Sequence, residues 1–275
     1  LFPIPDRMKH QLTIFAIILC IFLSSLGIFL PLTIPMLSKV HAQELFQRNQ
    51  PDLFWETTFG GRGDDRGVRS VFCPKENCFF SVGTTIDISQ LNSSIYIVKS
   101  DKDGGILWER NYGSHSNNSA VGVFINHQQE LIVSSNVMNV GQSTEPNNIS
   151  IMRLDYQGQL IEEIVLHSEQ QQYVSRILQL SDQSYLLLGS IYDETELTDE
   201  IFLLKLSSLF EVEWQKTIAS EALLTAHDLV VSSEGYLVLS TMLDTRGQMK
   251  ILLVSVDPQG NTLWKKNYGD KQNYM

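Results

Sequence analysis

The sequence predicts an all-β protein, a β-propeller of four-stranded antiparallel blades, and three observations support this prediction. First, one segment recurs almost unchanged in Ile95–Gly113 (IYIVKSDKDGGILWERNYG) and Ile251–Gly269 (ILLVSVDPQGNTLWKKNYG). Second, its anchor positions fall at 55, 108, 161, 214 and 264, with Trp at each of them except Ile161. Third, short runs of β-branched and aromatic residues alternate with turn residues between the anchors. A period near 50 residues is typical of propeller blades.

The strands of each repeat can be assigned in order, as A to D. About four blades are present, at about residues 66–113, 120–165, 173–218 and 226–269, within a propeller region at 55–275. Hairpin-like turns such as DKDGG, SDQ and SEG favour antiparallel strands over a stacked solenoid, which is the alternative. Residues 55–60 are predicted to be a lone outer strand. Such a strand usually completes the last blade of a ring, so we expect the chain to be truncated by at least about one blade.

The N-terminal residues 1–42 are predicted to be a hydrophobic helix that serves as a signal peptide or a membrane anchor. Residues 11–38 carry no charge, and Val40-His41-Ala42 places small residues at a signal-peptidase site. Leu12–Leu32 is also long enough to span a bilayer, so a retained membrane tether is the alternative. Residues 43–54 form a linker. Both alternatives place the remaining chain outside the cytoplasm, as a secreted, periplasmic or cell-surface protein.

Charge and cysteine content narrow the partners and the compartment. The formal net charge is −11, which argues against nucleic acid or anionic lipid headgroups as partners. Cys73 and Cys78 flank a predicted hairpin turn, Pro74–Asn77. Facing positions of a hairpin suit disulfide geometry, and an exported protein meets an oxidising compartment. We therefore expect a Cys73–Cys78 disulfide.

The pattern Asp-x-x-Gly-x-x-x-Trp recurs at the junction of strands C and D. The Asp is expected to accept hydrogen bonds from backbone N–H groups, and the Gly to take a positive φ. The Trp then packs against the neighbouring blade as a large apolar spacer. Structural roles are therefore predicted for Trp55, Asp101, Gly104, Trp108, Asp155, Gly158, Trp214, Asp257, Gly260 and Trp264.

This motif resembles the tryptophan-docking, PQQ-like repeat of the quinoprotein alcohol dehydrogenase-like propellers. The Tyr-Gly that follows it, as in Tyr112-Gly113, is similar to that of exported bacterial proteins with non-enzymatic, lipoprotein-type propeller repeats. The resemblance covers Trp55–Gly269 and implies the fold, because the matched residues are structural. Quinoprotein enzymes of this kind also hold a calcium ion and a quinone. No position of this sequence maps onto those ligands, so neither a cofactor nor a metal site is expected.

The predicted binding surface is the loop face, where the B–C and D–A loops meet. Loops on a rigid scaffold often carry binding residues, and no nucleophile motif stands out, so no catalytic residue is assigned. We expect a binding or assembly scaffold with a protein or glycan partner. The alternative is a propeller enzyme, quinoprotein-like or glycan-acting, with its site partly in missing blades. The candidate binding residues are Arg62, Asp64, Asp65, His115, Asn117, His167, Asp193 and Glu194.

Overall fold

A computed structural model describes residues 56–61, 63–87, 92–113, 117–138, 146–193, 198–218, 222–244 and 246–269. The predicted N-terminal helix, the linker and Trp55 lie outside these ranges. No helix in the described ranges has the length and apolar character needed to cross a membrane.

The described residues form sixteen strands in four antiparallel four-stranded sheets, so the predicted fold class is confirmed. Each sheet is one blade, and its strands pair in chain order. The strands of blades 1 and 2 are β1 Asp64–Cys73, β2 Cys78–Asp87, β3 Asn92–Asp101, β4 Ile106–Tyr112, β5 Asn117–Ile125, β6 Leu131–Met138, β7 Asn148–Leu154 and β8 Leu160–Leu166. The strands of blades 3 and 4 are β9 Gln171–Gln179, β10 Tyr185–Asp193, β11 Thr198–Leu206, β12 Val212–Ile218, β13 Leu223–Ser232, β14 Gly235–Leu243, β15 Met249–Val256 and β16 Thr262–Tyr268.

The turn between the third and fourth strands of each blade has one geometry. In the three Asp-x-x-Gly turns, one carboxylate oxygen accepts two backbone N–H bonds of 2.7–3.0 Å. The turn glycines have φ of 75–84°, a region that favours glycine. Blade 3 lacks both residue types, yet Ser207 Oγ accepts from two backbone N–H groups at 3.2 Å and Phe210 has a φ of 63°. The turn geometry is therefore kept where its usual residues are lost.

Apolar side chains fill the seams between successive blades. Three clusters of buried residues join blade 1 to 2, 2 to 3 and 3 to 4. Phe80 and Tyr156 meet in the first seam with ring centroids 5.5 Å apart, and Tyr185 stacks on Phe210 at 4.3 Å in the second. Each sheet thus buries its faces against its neighbours, as propeller blades do.

The first seam shows how an outer strand binds the next blade. Trp108 Nε1 donates to the Tyr156 carbonyl at 3.1 Å, and the Tyr112 hydroxyl donates to the Gly158 carbonyl at 2.6 Å. Arg110 Nη1 donates to the same Gly158 oxygen at 3.1 Å. The Asp-x-x-Gly turn of one blade is therefore the docking site for the outer strand of the blade before it.

The other anchor positions differ in how far they are covered. Trp214 lies against Gly260 of blade 4, where a Cβ would come within 2.8 Å of the indole ring. Ile161 and Trp264 remain 49% and 43% exposed. Every residue of β16 is exposed, so no described blade covers the outer strand of blade 4.

Two local predictions concern blade 1 and the residues before it. Residues 56–61 belong to none of the four described sheets, and the lone outer strand at residues 55–60, expected to complete a further blade, stays a prediction. Cys73 and Cys78 face each other in register, as the turn predicts, with 0% and 1% exposure and no bond between them in this structure. Register brings the two thiols together, whereas the bond also requires an oxidant, so the disulfide stays a prediction. Burial and the neighbouring Cys73 raise the pKa of Cys78 to about 11 and disfavour the reactive thiolate.

Candidate functional site

The predicted loop-face residues lie at strand ends and form no common cluster among the described residues. Asp64 forms an ion pair with Arg66 at 3.4 Å, and Asn117 Oδ1 accepts from the Ser93 backbone N–H at 3.1 Å. His167 Nδ1 lies 3.1 Å from Asn148 Oδ1.

The remaining loop-face candidates add little to a site. Asp65 Oδ2 accepts from the Gly61 backbone N–H at 2.8 Å. Asp193 ends β10, and its side chain is not described. Arg62, His115 and Glu194 lie outside the described residues. These described bonds are local to the strand ends of one blade, except that from Ser93 to Asn117, which joins blade 1 to blade 2.

A different set of residues is placed alike in all four blades. The inner strands β1, β5, β9 and β13 contact one another in sequence and form the inner wall of the array. Each contains one β-bulge, whose extra residue is Val68, Val121, Ser175 or His227. A bulge redirects the side chains beside it and often occurs next to active sites. The residues that follow the bulges, here called the wall positions, are Arg69, Gly122, Arg176 and Asp228.

Polar bonds between blades fix the bulges. Just before the bulges of blades 2, 3 and 4, a backbone N–H donates to a side-chain oxygen on the second strand of the preceding blade. The distances are 2.9 Å from Ala120 to Thr84 Oγ1, 2.8 Å from Val174 to Asn136 Oδ1 and 3.0 Å from Ala226 to Ser190 Oγ. Because three successive seams use one bond type at one position, the wall positions are held by the framework and not by loops.

The wall positions line one continuous stretch of the inner wall. A cavity of about 620 Å³ is bordered by Arg69, Gly122 and Arg176, and by the turn after β5 that contains His127. Arg69 extends over Gly122, since a Cβ on that glycine would lie 3.8 Å from Arg69 Nε. Arg176 Nε lies 3.2 Å from Asp228 Oδ1 on the next blade. The order along the wall is therefore cation, gap, cation, carboxylate.

Electrostatics at the wall are dominated by the two arginines. Burial, followed by the positive charge of Arg69, lowers the pKa of Arg176, and the Asp228 carboxylate opposes this shift. The Arg176–Asp228 separation allows an ion pair, but the Arg176 Nε–H has no hydrogen-bond partner in the described part of the protein. One carboxylate for two guanidinium groups leaves an excess positive charge on this wall.

The described residues also lack a cluster of metal ligands. In the ranges that the structure describes, no group of three or more His, Cys, Asp and Glu side chains is arranged to hold a metal ion. The Asp101–Gly105 segment forms the turn described above, with both N–H bonds made to one carboxylate oxygen.

Sequence reasoning did not identify the wall positions, although a signal was present. They recur at intervals of 53, 54 and 52 residues, in step with the Trp anchors. Glycine or serine faces the residue before each bulge, at Gly83, Ser135, Gly189 and Ser240. Small residues at one repeat position are a usable sign of a bulge or of close backbone approach.

Known proteins were compared with the chain at the level of sequence and fold. No protein-family model matches the sequence, and no curated protein sequence matches it. Among solved structures, the chain is similar to a family GH43 β-1,3-galactosidase, with 12% identity, a TM-score of 0.49, and coverage of 78% of this chain and 50% of that one. The chain is also similar to an acylaminoacyl peptidase of Pyrococcus horikoshii, with 11% identity and a TM-score of 0.44. This match covers 75% of this chain and 33% of the peptidase.

An endo-arabinase of Bacteroides thetaiotaomicron is similar at 14% identity and a TM-score of 0.40, with 81% of this chain and 80% of that chain covered. The chain thus spans half the length of the galactosidase and a third of that of the peptidase. Similarity at this level carries no argument about activity. The propeller assignment rests on the four sheets, their chain-order pairing and the apolar seams between them.

Proposed function

We propose that this protein is a ligand-binding propeller whose working surface is the inner wall. One observation carries the proposal: four equivalent bulges place Arg69, Gly122, Arg176 and Asp228 along one wall. The framework repeats these four positions, one in each blade, while their side chains differ in charge and size. Such a set of positions is suited to recognising a ligand. The wall differs from the loop face, where Asp64 already pairs with Arg66 and Asn117 already accepts from the Ser93 backbone N–H.

Binding is favoured over catalysis by the charges on the wall. Acid–base or nucleophilic chemistry needs a group of matched pKa beside a second reacting group. The wall offers one carboxylate, Asp228, and it already faces the guanidinium of Arg176. Two arginines and a glycine instead provide charge and space, which are the requirements for holding a ligand.

The test fills the gap in the wall. No atom comes within 3.8 Å of a Cβ built on Gly122, so Gly122→Trp places an indole in the cavity without backbone strain. The parent protein and the variant are each applied to an array of neutral and acidic glycans and peptides. The variant should fail to bind the array members that the parent binds. Asp64→Asn on the loop face is the matched control and should keep them. Capture that survives Gly122→Trp but is lost with Asp64→Asn would return the site to the loop face.

A glycan-acting enzyme is the second candidate, and Asp228 is the observation that favours it. Its carboxylate lies on the wall with 48% of the side chain exposed. Glycoside hydrolysis uses two carboxylates about 5–9.5 Å apart, and the other wall positions supply none. The second carboxylate would have to come from outside the wall positions. If the protein hydrolyses aryl glycosides and the Asp228→Asn variant does not, the glycan-acting enzyme is established. A quinoprotein-like oxidoreductase would instead reduce a dye acceptor only when a quinone is added.

We also propose that the protein is exported and that Cys73 and Cys78 then form a disulfide. If the chain works outside the cytoplasm, Cys73 and Cys78 meet an oxidant and their facing register allows a bond. Cell fractionation locates the protein. Thiol titration of the unfolded, unreduced exported protein should then find neither cysteine free, and two free thiols would contradict the disulfide.

A further inference from the structure

Arg69 is a cation that has no counter-charge in the part of the chain that the structure describes. Among the described residues its guanidinium makes no hydrogen bond and no ion pair. The other arginine of the same strand, Arg66, pairs with Asp64 at 3.4 Å. In a chain of net charge −11, an unpaired arginine directed along the inner wall is available to a negatively charged ligand.

Arg176 provides the second cation of the same cavity. Its side chain is only 24% exposed, and its Nε–H is buried without a hydrogen-bond acceptor. A buried donor without a partner is costly, so the site gains from any acceptor that satisfies it. The positive charge of Arg69 acts on Arg176 across the cavity that both line, and an anion placed between them would offset it.

Gly122 lines the same cavity as the two arginines, and its partner on the neighbouring strand is Ser134. Gly122 and Ser134 pair in register across β5 and β6, so they share one face of the sheet. Ser134 is fully buried, its Oγ has no hydrogen-bond partner in the described ranges, and it lies 3.8 Å from a Cβ built on Gly122. The absence of a side chain at Gly122 thus leaves room beside Arg69, in the cavity that Arg176 also lines.

We propose that the inner wall holds an oxyanion of the bound ligand, a carboxylate or a phosphate, between the guanidinium groups of Arg69 and Arg176. This inference rests on the proposed function and names the class of its ligand. A planar guanidinium matches both groups, because each presents two oxygens to its donors.

Asp228 affects how strongly Arg176 can bind the ligand. Its Oδ1 lies 3.2 Å from Arg176 Nε, so it competes with an incoming anion for the same cation. Removing this charge with Asp228→Asn should therefore strengthen oxyanion binding. The same change abolishes activity if Asp228 is instead the catalytic carboxylate of a glycosidase, so one variant separates the two accounts.

Calorimetric titration of the purified full chain tests the proposal. Trigalacturonate and galactotriose form a matched pair that differs in carboxylates, and inorganic phosphate and citrate compare the two oxyanions. Titrations at an ionic strength of about 20 mM limit screening. We expect trigalacturonate to bind and Arg69→Gln or Arg176→Gln to weaken it by about tenfold or more, since each removes charged hydrogen bonds. Arg66→Gln is the control of equal charge and should bind as the parent does.

A second pair of variants separates charge from space. Gly122→Asp places a carboxylate beside Arg69, whereas Gly122→Asn fills nearly the same volume without the charge. The aspartate variant should bind oxyanions more weakly than the asparagine variant. Equal binding by these two variants, or equal affinity for trigalacturonate and galactotriose, would overturn the oxyanion site and leave a neutral ligand at the wall. Absence of binding by all four probes would overturn it as well.

Discussion

The seam between blades 1 and 2 provides the sharpest test of how the propeller is held together. Gly158 ends the Asp-x-x-Gly turn of blade 2 with a φ of +75°. A Cβ at this position would lie 3.0 Å from both Trp108 Cη2 and Tyr112 Oη. Gly158→Ala therefore perturbs the docking of the outer strand of blade 1, in addition to straining the turn.

The magnitude follows from two terms. A left-handed backbone costs a non-glycine residue about 1–2 kcal/mol. Overpacking a filled site adds about 1–3 kcal/mol, so Gly158→Ala should lower the free energy of unfolding by about 2–5 kcal/mol. Gly247 offers a matched control, because its φ is +74° and nothing lies within 4 Å of its added Cβ. Gly247→Ala should cost the backbone term alone.

Urea unfolding followed by tryptophan fluorescence and by far-ultraviolet circular dichroism measures both variants. The midpoint should fall clearly further for Gly158→Ala than for Gly247→Ala, with similar slopes. Equal shifts for the two variants would refute the reasoning, because the seam would then tolerate a methyl group where the structure leaves no space.

Three further predictions concern stability and reactivity. Trp108→Ala should destabilise the protein by about 3–5 kcal/mol, whereas Trp264→Ala should have a much smaller effect because Trp264 is 43% exposed; thermal unfolding compares them. The hydrogen bonds from Arg153 lower the pKa of Glu130, so this ion pair stabilises the fold above the unfolded pKa of about 4.3 and is lost as the pH falls further. Glu130→Gln should therefore flatten the dependence of stability on pH below about 4.3, and an unchanged slope would contradict the pairing. Burial raises the pKa of Cys78 to about 11, so iodoacetamide at neutral pH should label the reduced native protein much more slowly than the unfolded one.

The repeat made most of the fold predictable. Trp108 and Asp155 mark positions at which every blade needs the same turn and the same spacer, so periodicity alone defined the sheets. Residue type and geometry separate in blade 3, where Phe210 takes the left-handed conformation that glycine takes in the other turns. The strand pattern still predicted blade 3, but the sequence did not indicate which residue would take this conformation. Cys78 shows that register can be predicted from a turn, whereas the redox state also depends on an oxidant.

The candidate site was less predictable, for a physical reason. A bulge shifts the alternation of a strand by one residue, so Arg69 and Asp228 cannot be assigned to a face from sequence parity. The wall positions also differ in residue type between blades, so the small residues opposite each bulge are the only shared sign that we find in the sequence. The register and the polar bonds between blades, such as that from Val174 to Asn136, identify the bulges as equivalent.

The most direct test of the inner-wall account is nuclear magnetic resonance of the arginine Nε–Hε groups during titration with citrate. The account predicts that the resonances of Arg69 and Arg176 shift together and saturate with one affinity, while that of Arg66 stays in place. Saturable shifts at Arg66, with Arg69 and Arg176 unmoved, would place the anion elsewhere and contradict the account.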